Sequence, residues 1–376
     1  MLNLNINEGN FSLRSYLNLE NDFAVKQKND PRLRFYNLYF EARKIFNIAT
    51  VKLGRQPIFN SVAGGVFDGA YLEVKPENYR FFVYYGGNVP AYQKLEITDK
   101  WEDDYILGGK FSTSVLKNFQ LGVSYIKKNF RTEKYFAARL GTDLNPVNLL
   151  IENNSNQYQF VSGEISYELP NTISINTRYD YDLNFEKTSK FEIDGNYEPI
   201  DKLNLNVYYQ YREPRIRYNS IFSVFDYGNT QEVEVGGVYK FSNMISALAR
   251  FANVTYKDDE SQRFTAGLVT SYGTLTYRRT FGYAGELDAV SLFSGYTFLE
   301  GFLTPSVGVS FTSYKLSKTA SEKNSLTTIL AGVNIRPLRI LSFDLQGQFL
   351  NNKIYKNDFR MFFKINYWFN TNLDMM

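Results

Sequence analysis

Along most of the chain apolar and polar residues alternate one for one, the period of a strand whose two faces meet different surroundings. Near the carboxy terminus Phe359, Met361, Phe363, Ile365, Tyr367 and Phe369 take one parity, and Arg360, Phe362, Lys364, Asn366 and Trp368 the other. Leu203, Leu205, Val207, Tyr209 and Tyr211 likewise oppose Asn204, Asn206, Tyr208, Gln210 and Arg212. The same holds for Ile173, Ile175, Tyr179 and Tyr181 against Ser174, Asn176, Arg178, Asp180 and Asp182. Phe343, Leu345 and Phe349 oppose Ser342, Asp344, Gln346 and Gln348. No uncharged run reaches the roughly 18 residues a membrane-crossing helix needs, so the pattern predicts strands throughout.

Clusters of Gly, Pro, Asn and charged residues punctuate this alternation. Ten short ones, among them 75–78, 116–118, 169–172 and 336–338, alternate with eleven longer and more charged ones, of which 87–102 and 213–228 are the longest. Together they join about 22 strands, with both termini on the side of the short turns. The count includes a short strand from Val147 to Glu152; if that stretch is a loop, 20 strands remain. Nine of the ten prolines fall in connections, as residues without a ladder N–H should, and Pro305 alone lies in a predicted strand, near its start.

An even series of amphipathic strands with short turns on one side and longer loops on the other predicts an all-β fold, a closed antiparallel transmembrane β-barrel. The whole chain, 1–376, reads as one domain, because no linker or shift of composition divides it. Residues 1–10 are expected to form a periplasmic amino-terminal segment and residues 370–376 a carboxy-terminal tail. The first residues carry neither a basic stretch nor a long apolar run, so a signal peptide is expected to have been removed.

Composition agrees with that architecture. Aromatic residues make up 17% of the chain, with 30 Tyr and 32 Phe, yet its mean hydropathy is negative. A barrel gives this combination because only half of each strand meets lipid. Tyr and Phe at strand ends, with Trp101 and Trp368, suit the girdles where a ring with one polar edge sits at the membrane boundary, and equally suit plain lipid-facing positions. The absence of Cys and His removes disulfides, thiolate chemistry, imidazole bases and imidazole metal ligands. No cofactor and no enzymatic activity are expected, and a formal charge of +3 without a basic block gives no nucleic-acid surface.

In a closed barrel the polar parity faces the lumen, since sinking Arg or Asp into hydrocarbon costs several kcal/mol. Candidate pore-lining residues are Lys52, Gln56, Glu73, Arg80, Arg139 and Arg178, then Asp180, Arg212, Arg278, Asp344, Arg360 and Lys364. Their signs nearly balance, which fits solvated side chains paired with neighbours; a one-signed ring, the mark of a selectivity site, is not evident.

The most motif-like stretch is Val51-Lys-Leu-Gly-Arg-Gln56 followed by Gly64-Gly-Val-Phe-Asp-Gly-Ala-Tyr71. It resembles the strand, Gly-Arg-Gln, loop, Asp-Gly, strand pattern near the start of several porin-like and export-barrel families of the bacterial outer membrane. That resemblance implies a place for the arginine in a bonded cluster at the mouth or wall of a pore. Arg55, Gly64, Gly65 and Asp68 are therefore candidates either for a constriction, with glycines that let the loop bend inward, or for a cap that holds the strand end. The last strand departs from the usual pattern of such barrels, because seven residues follow Phe369.

Two functions fit. One is a channel for passive diffusion of small hydrophilic solutes across the outer membrane, with lipid and solutes as its partners. The other is a sheath around a lumen-filling protein such as a multihaem cytochrome, whose haem ligands would all belong to that partner because this chain has no His or Cys.

Overall fold

The computed structural model describes residues 1–21, 30–58, 65–89, 94–98, 100–131, 135–140, 145–151, 157–216, 218, 224–225, 227–283, 285–316 and 321–368. Regular structure among them is β-strand apart from one short 3-10 turn at Leu299–Gly301. The first strands are β1 (Leu2–Glu8), β2 (Phe11–Glu20), β3 (Arg32–Ile45), β4 (Ala49–Ile58), β5 (Gly65–Val74), β6 (Tyr79–Asn88), β7 (Tyr105–Thr113) and β8 (Phe119–Asn129). Next come β9 (Tyr135–Leu140), β10 (Pro146–Ile151), β11 (Tyr158–Leu169), β12 (Ile173–Asp182), β13 (Lys187–Ile200) and β14 (Leu203–Arg212). The remainder are β15 (Thr230–Ser242), β16 (Ile245–Tyr256), β17 (Asp259–Thr270), β18 (Gly273–Gly282), β19 (Glu286–Gly295), β20 (Leu303–Lys315), β21 (Asn324–Leu338), β22 (Leu341–Asn352) and β23 (Asp358–Tyr367).

A single 21-stranded sheet holds all of these except β9 and β10, which pair only with each other. From β1 to β8 and from β15 to β23 each strand runs antiparallel to its neighbour in sequence, and β8 passes directly to β11, with Tyr167 opposite Phe119 and Tyr158 opposite Lys128. The expected strand at Val147–Glu152 is therefore a strand, but not of this sheet: the unbroken β8–β11 register leaves no edge for it to enter. Residues 1–10 also differ from expectation. Leu2, Leu4 and Ile6 alternate with Asn3, Asn5 and Asn7, and β1 lies along β2 from Leu2 opposite Leu17 to Glu8 opposite Phe11, closed by Gly9 at φ 54°. One strand is gained and two are lost, so the sheet has an odd number. The expected tail at 370–376 and Phe369 lie outside the described residues.

The chain divides into two compact units. The first comprises Met1–Leu169, Ser174–Ile193 and Tyr211–Asn229; the second comprises Pro170–Ile173, Asp194–Gln210 and Thr230–Met376. In both, the period of two separates an apolar from a polar face. In the second unit Phe359, Met361, Phe363, Ile365 and Tyr367 project outward on one side of β23, Phe359 63% exposed, a solvation that suits hydrocarbon and not water. In the first unit Leu53, Leu72, Phe81, Val83 and Tyr85 do the same.

The short turns expected at 75–78, 116–118 and 169–172 fall at the joins between strands. Asn118 and Asn171 adopt left-handed backbone (φ 67° and 58°), which asparagine tolerates better than most residues. Pro57, Pro199 and Pro337 each lie one residue before a strand's end, and Pro146 begins one, so the ladder extends into four positions expected to be connections. Pro305 is the third residue of β20, opposite Val333.

A row of glycines crosses the first unit, with Gly54 opposite Gly69 and Gly69 opposite Gly86. A Cβ at Gly86 would lie 2.3 Å from the Asp68 carbonyl oxygen, a backbone atom that cannot step aside. Gly163 has open space where its Cβ would be. Gly86→Val is expected to cost more than the about 1–3 kcal/mol of ordinary overpacking and to abolish the heat-modifiable folded band in unboiled SDS gels. Gly163→Ala should retain it.

Candidate functional site

The polar face of the first unit carries its charges in compensated groups. Glu41 on β3 collects Arg14 Nε at 3.4 Å, Lys52 Nζ at 3.5 Å and Arg43 Nε at 3.8 Å. Lys52 also lies over the Tyr39 and Tyr71 rings, 5.6 and 5.2 Å from their centroids. Further along, Arg80 Nε donates to Glu73, which also accepts from the Tyr71 hydroxyl, and Lys110 donates to Glu164. Gln56 is buried, its amide donating to the carbonyl of Gly69 at 3.1 Å.

The densest group centres on Asp180, whose side chain has 0% exposure. Arg178, two residues back and hence on the same face, grips both carboxylate oxygens, Nε at 2.9 Å and an Nη at 2.6 Å. The Ser162 hydroxyl donates to the same carboxylate at 2.6 Å. Opposite them stands Arg215, from the long connection after β14, with an Nη 3.6 Å from Asp180 and its guanidinium over the Phe160 ring. Burial pulls the Arg215 guanidinium below its ordinary value, and the Asp180 carboxylate pushes the other way.

This connection folds onto the polar face. Glu213 N–H donates to the Ser189 carbonyl at 2.9 Å, Tyr218 N–H to that of Gln157 at 3.3 Å, and the Tyr218 ring meets Phe185 edge-on at 5.2 Å. Between it and the β12–β13 strand ends lies a cavity of 310 Å³, bordered by Asp182, Phe185, Lys187, Ser189, Glu213 and Tyr227. Asp182 itself caps the turn, accepting the N–H groups of Asn184 and Phe185.

In the second unit Arg263 donates to Glu232 and to Glu234, at 2.5 and 2.7 Å, and Arg250 approaches Glu234 at 3.7 Å. Asp344 accepts from the amides of Asn334 and Asn366, and Lys364 stands opposite it in register. Arg360 pairs with Asp358 of its own strand, at 3.0 and 2.7 Å. Arg278 is exposed between Thr265 and Ala289, and Arg212 is exposed at the end of β14. The side chain of Arg139 lies outside the described residues, as does Gly64.

Arg55 and Asp68 lie on the opposite face. They are directly paired in register and share parity with Leu53 and Ala70, so they point away from Lys52 and Gln56. Arg55 is 4% and Asp68 5% exposed. Arg55 Nε and one Nη form two bonds to the carboxylate, at 2.8 and 2.7 Å. Its other N–H groups donate to the backbone carbonyls of Phe35, Lys94 and Glu96, at 3.3, 2.6 and 2.9 Å. All five guanidinium donors are thereby satisfied, the condition for keeping an arginine buried on an apolar surface. Arg55 thereby clasps residues 94–96 against the sheet, and Trp101 meets Tyr85 edge-on at 5.6 Å. Within the Gly-Arg-Gln stretch, Arg55 thus faces the apolar side near the end of β4 and Gln56 the polar one. Gly65 simply opens β5.

Sequence reasoning missed the apolar residues that interrupt the polar face of the first unit. Ile58, Phe67, Phe82, Tyr84, Ile106, Ile126 and Phe160 form one buried cluster there. Each such side chain contributes about 1.5–3 kcal/mol on full burial. The signal was present as a loss of alternation: Phe81 to Tyr85 is apolar at every position, with Phe81, Val83 and Tyr85 exposed on the apolar face and Phe82 and Tyr84 buried in this cluster. Arg215 left no signal, since it sits in a connection with no periodicity.

No protein-family model matches the chain, and no curated protein matches it in sequence. Solved structures do. The P pilus usher PapC translocation pore is similar over 96% of this chain and 92% of its own, with 11% identity and a TM-score of 0.50. PapC within an E. coli P pilus tip assembly intermediate is similar over 94% of this chain and 56% of that one, with 10% identity and a TM-score of 0.51. Pseudomonas aeruginosa OccK10 (OpdN) is similar over 87% of this chain and 99% of its own, with 12% identity and a TM-score of 0.46. The chain has the fold of the large β-barrels of the bacterial outer membrane.

Removing one partner of a buried pair leaves the other charge uncompensated, at about 3–5 kcal/mol. Arg55→Leu is therefore expected to lower the denaturant midpoint and to speed tryptic cleavage after Lys94 and Lys100. Arg55→Leu combined with Asp68→Leu should recover much of the midpoint, but not the protection from trypsin.

Proposed function

We propose that the chain is an outer-membrane channel through which small hydrophilic solutes diffuse passively. The observation that supports it is the local compensation of charge on the polar face of each unit. Glu41 is ringed by three cations, Asp180 by Arg178 and Arg215, and Arg263 by two glutamates. A face built this way offers water-like hydrogen bonding with little net field, so it passes solutes by size more than by sign. In this reading residues 213–216, held to the polar face through Arg215, narrow the path without chemistry. A fold shared with a translocation pore is in keeping with this reading.

Purified protein in planar bilayers is expected to give discrete open-channel steps with weak ion selectivity. A protein that inserts and stays closed, or one that co-purifies with a multihaem partner, overturns the proposal. Arg215→Ala should loosen residues 213–216 and raise single-channel conductance. Arg263→Ala should strip Glu232 of its arginine, leave Glu234 only the more distant Arg250, and shift the reversal potential in a salt gradient toward cation preference.

A further inference from the structure

On the apolar face of the first unit, beside the Arg55–Asp68 clasp, lies a cavity of 500 Å³. Its floor is Leu53, Ala70 and Tyr85 of the sheet, its wall Leu38, and its roof Leu95, Ile97 and Trp101. Leu95 and Ile97 are 61% and 70% exposed, large apolar side chains turned outward at its rim. Among the described residues the charged groups in its lining are Arg55 and Asp68, which bond to each other, the remaining guanidinium donors being met by backbone carbonyls. A polar ligand would find no unmet donor there.

We propose that this cavity is a binding site for one acyl chain of a membrane lipid. The argument is continuity and fit. The floor is the same face that exposes Leu72, Phe81, Val83 and Tyr85, so under the membrane reading of that face the mouth opens into hydrocarbon. Acyl chains are flexible enough to enter beneath a strap that a rigid solute could not pass, and an aliphatic and aromatic lining meets them without leaving a polar group unpaired. Trp101 also holds its indole N–H to the Thr98 carbonyl at 2.9 Å, which leaves its apolar ring free to line the site. The clasp thus does more than restrain a loop: it keeps a lipid-sized slot open on the barrel's outer wall.

Trp101 and Trp368 are the only two tryptophans, so Trp368→Phe leaves a single fluorophore at the site. Its emission is read in detergent micelles during titration with a phosphatidylethanolamine whose acyl chains are brominated at mid-chain, bromine quenching indole on contact. Expected is quenching that saturates near one lipid per protein, and that Ala70→Phe, which fills the floor, abolishes. Quenching that rises linearly with lipid, or that Ala70→Phe leaves unchanged, overturns the site. The same two proteins are reconstituted in planar bilayers. If both insert and conduct while saturable quenching is missing, the acyl-chain site fails and the channel reading stands; if neither inserts, the membrane reading itself fails.

Discussion

A backbone that crosses hydrocarbon finds no water for its N–H and C=O groups, so each must be met by another backbone group. Everything else in this chain follows from that demand. It requires strands to run beside one another without a gap, which is why β8 and β11 pair residue for residue while the β9–β10 hairpin between them in sequence stands apart. It likewise accounts for β1, whose short alternation of Leu and Ile with Asn serves to continue the ladder. Where two strands must approach most closely, Gly69 and Gly86 face each other because any side chain would strike backbone.

Once the ladder is fixed, the two faces pose opposite electrostatic problems, and the chain solves both by pairing. On the polar face charges are common and their partners are near in register, as with Arg263 and its two glutamates. On the apolar face the buried pair of Arg55 and Asp68 is tolerable because the guanidinium's five donors are all met. The same arginine so becomes a fastening for residues 94–96, and its chemistry is spent there.

The strands were the most legible part of the sequence, since period two is a local property that survives any tertiary arrangement. Paired groups such as Arg178 with Asp180 were legible for the same reason: two residues apart on one strand means one face. The role of Arg55 was less so. Its parity with Val51 and Leu53 already marked it as apolar-facing, but its charge argued for the lumen, and only the carbonyls of Phe35, Lys94 and Glu96 explain how parity prevails. Arg215 could not have been found, because its partner Asp180 lies 35 residues away on β12 and a connection carries no period to place it.

The sequence by itself determined the class of fold, the turns, and the face on which nearly every side chain falls, because alternation and turn chemistry are written in neighbouring residues. Tertiary structure alone decided which strands join the sheet, which connection folds onto the polar face, and that a buried ion pair secures a strap over the apolar one. Those outcomes depend on contacts between residues far apart in the chain, where geometry and not spacing chooses the partner.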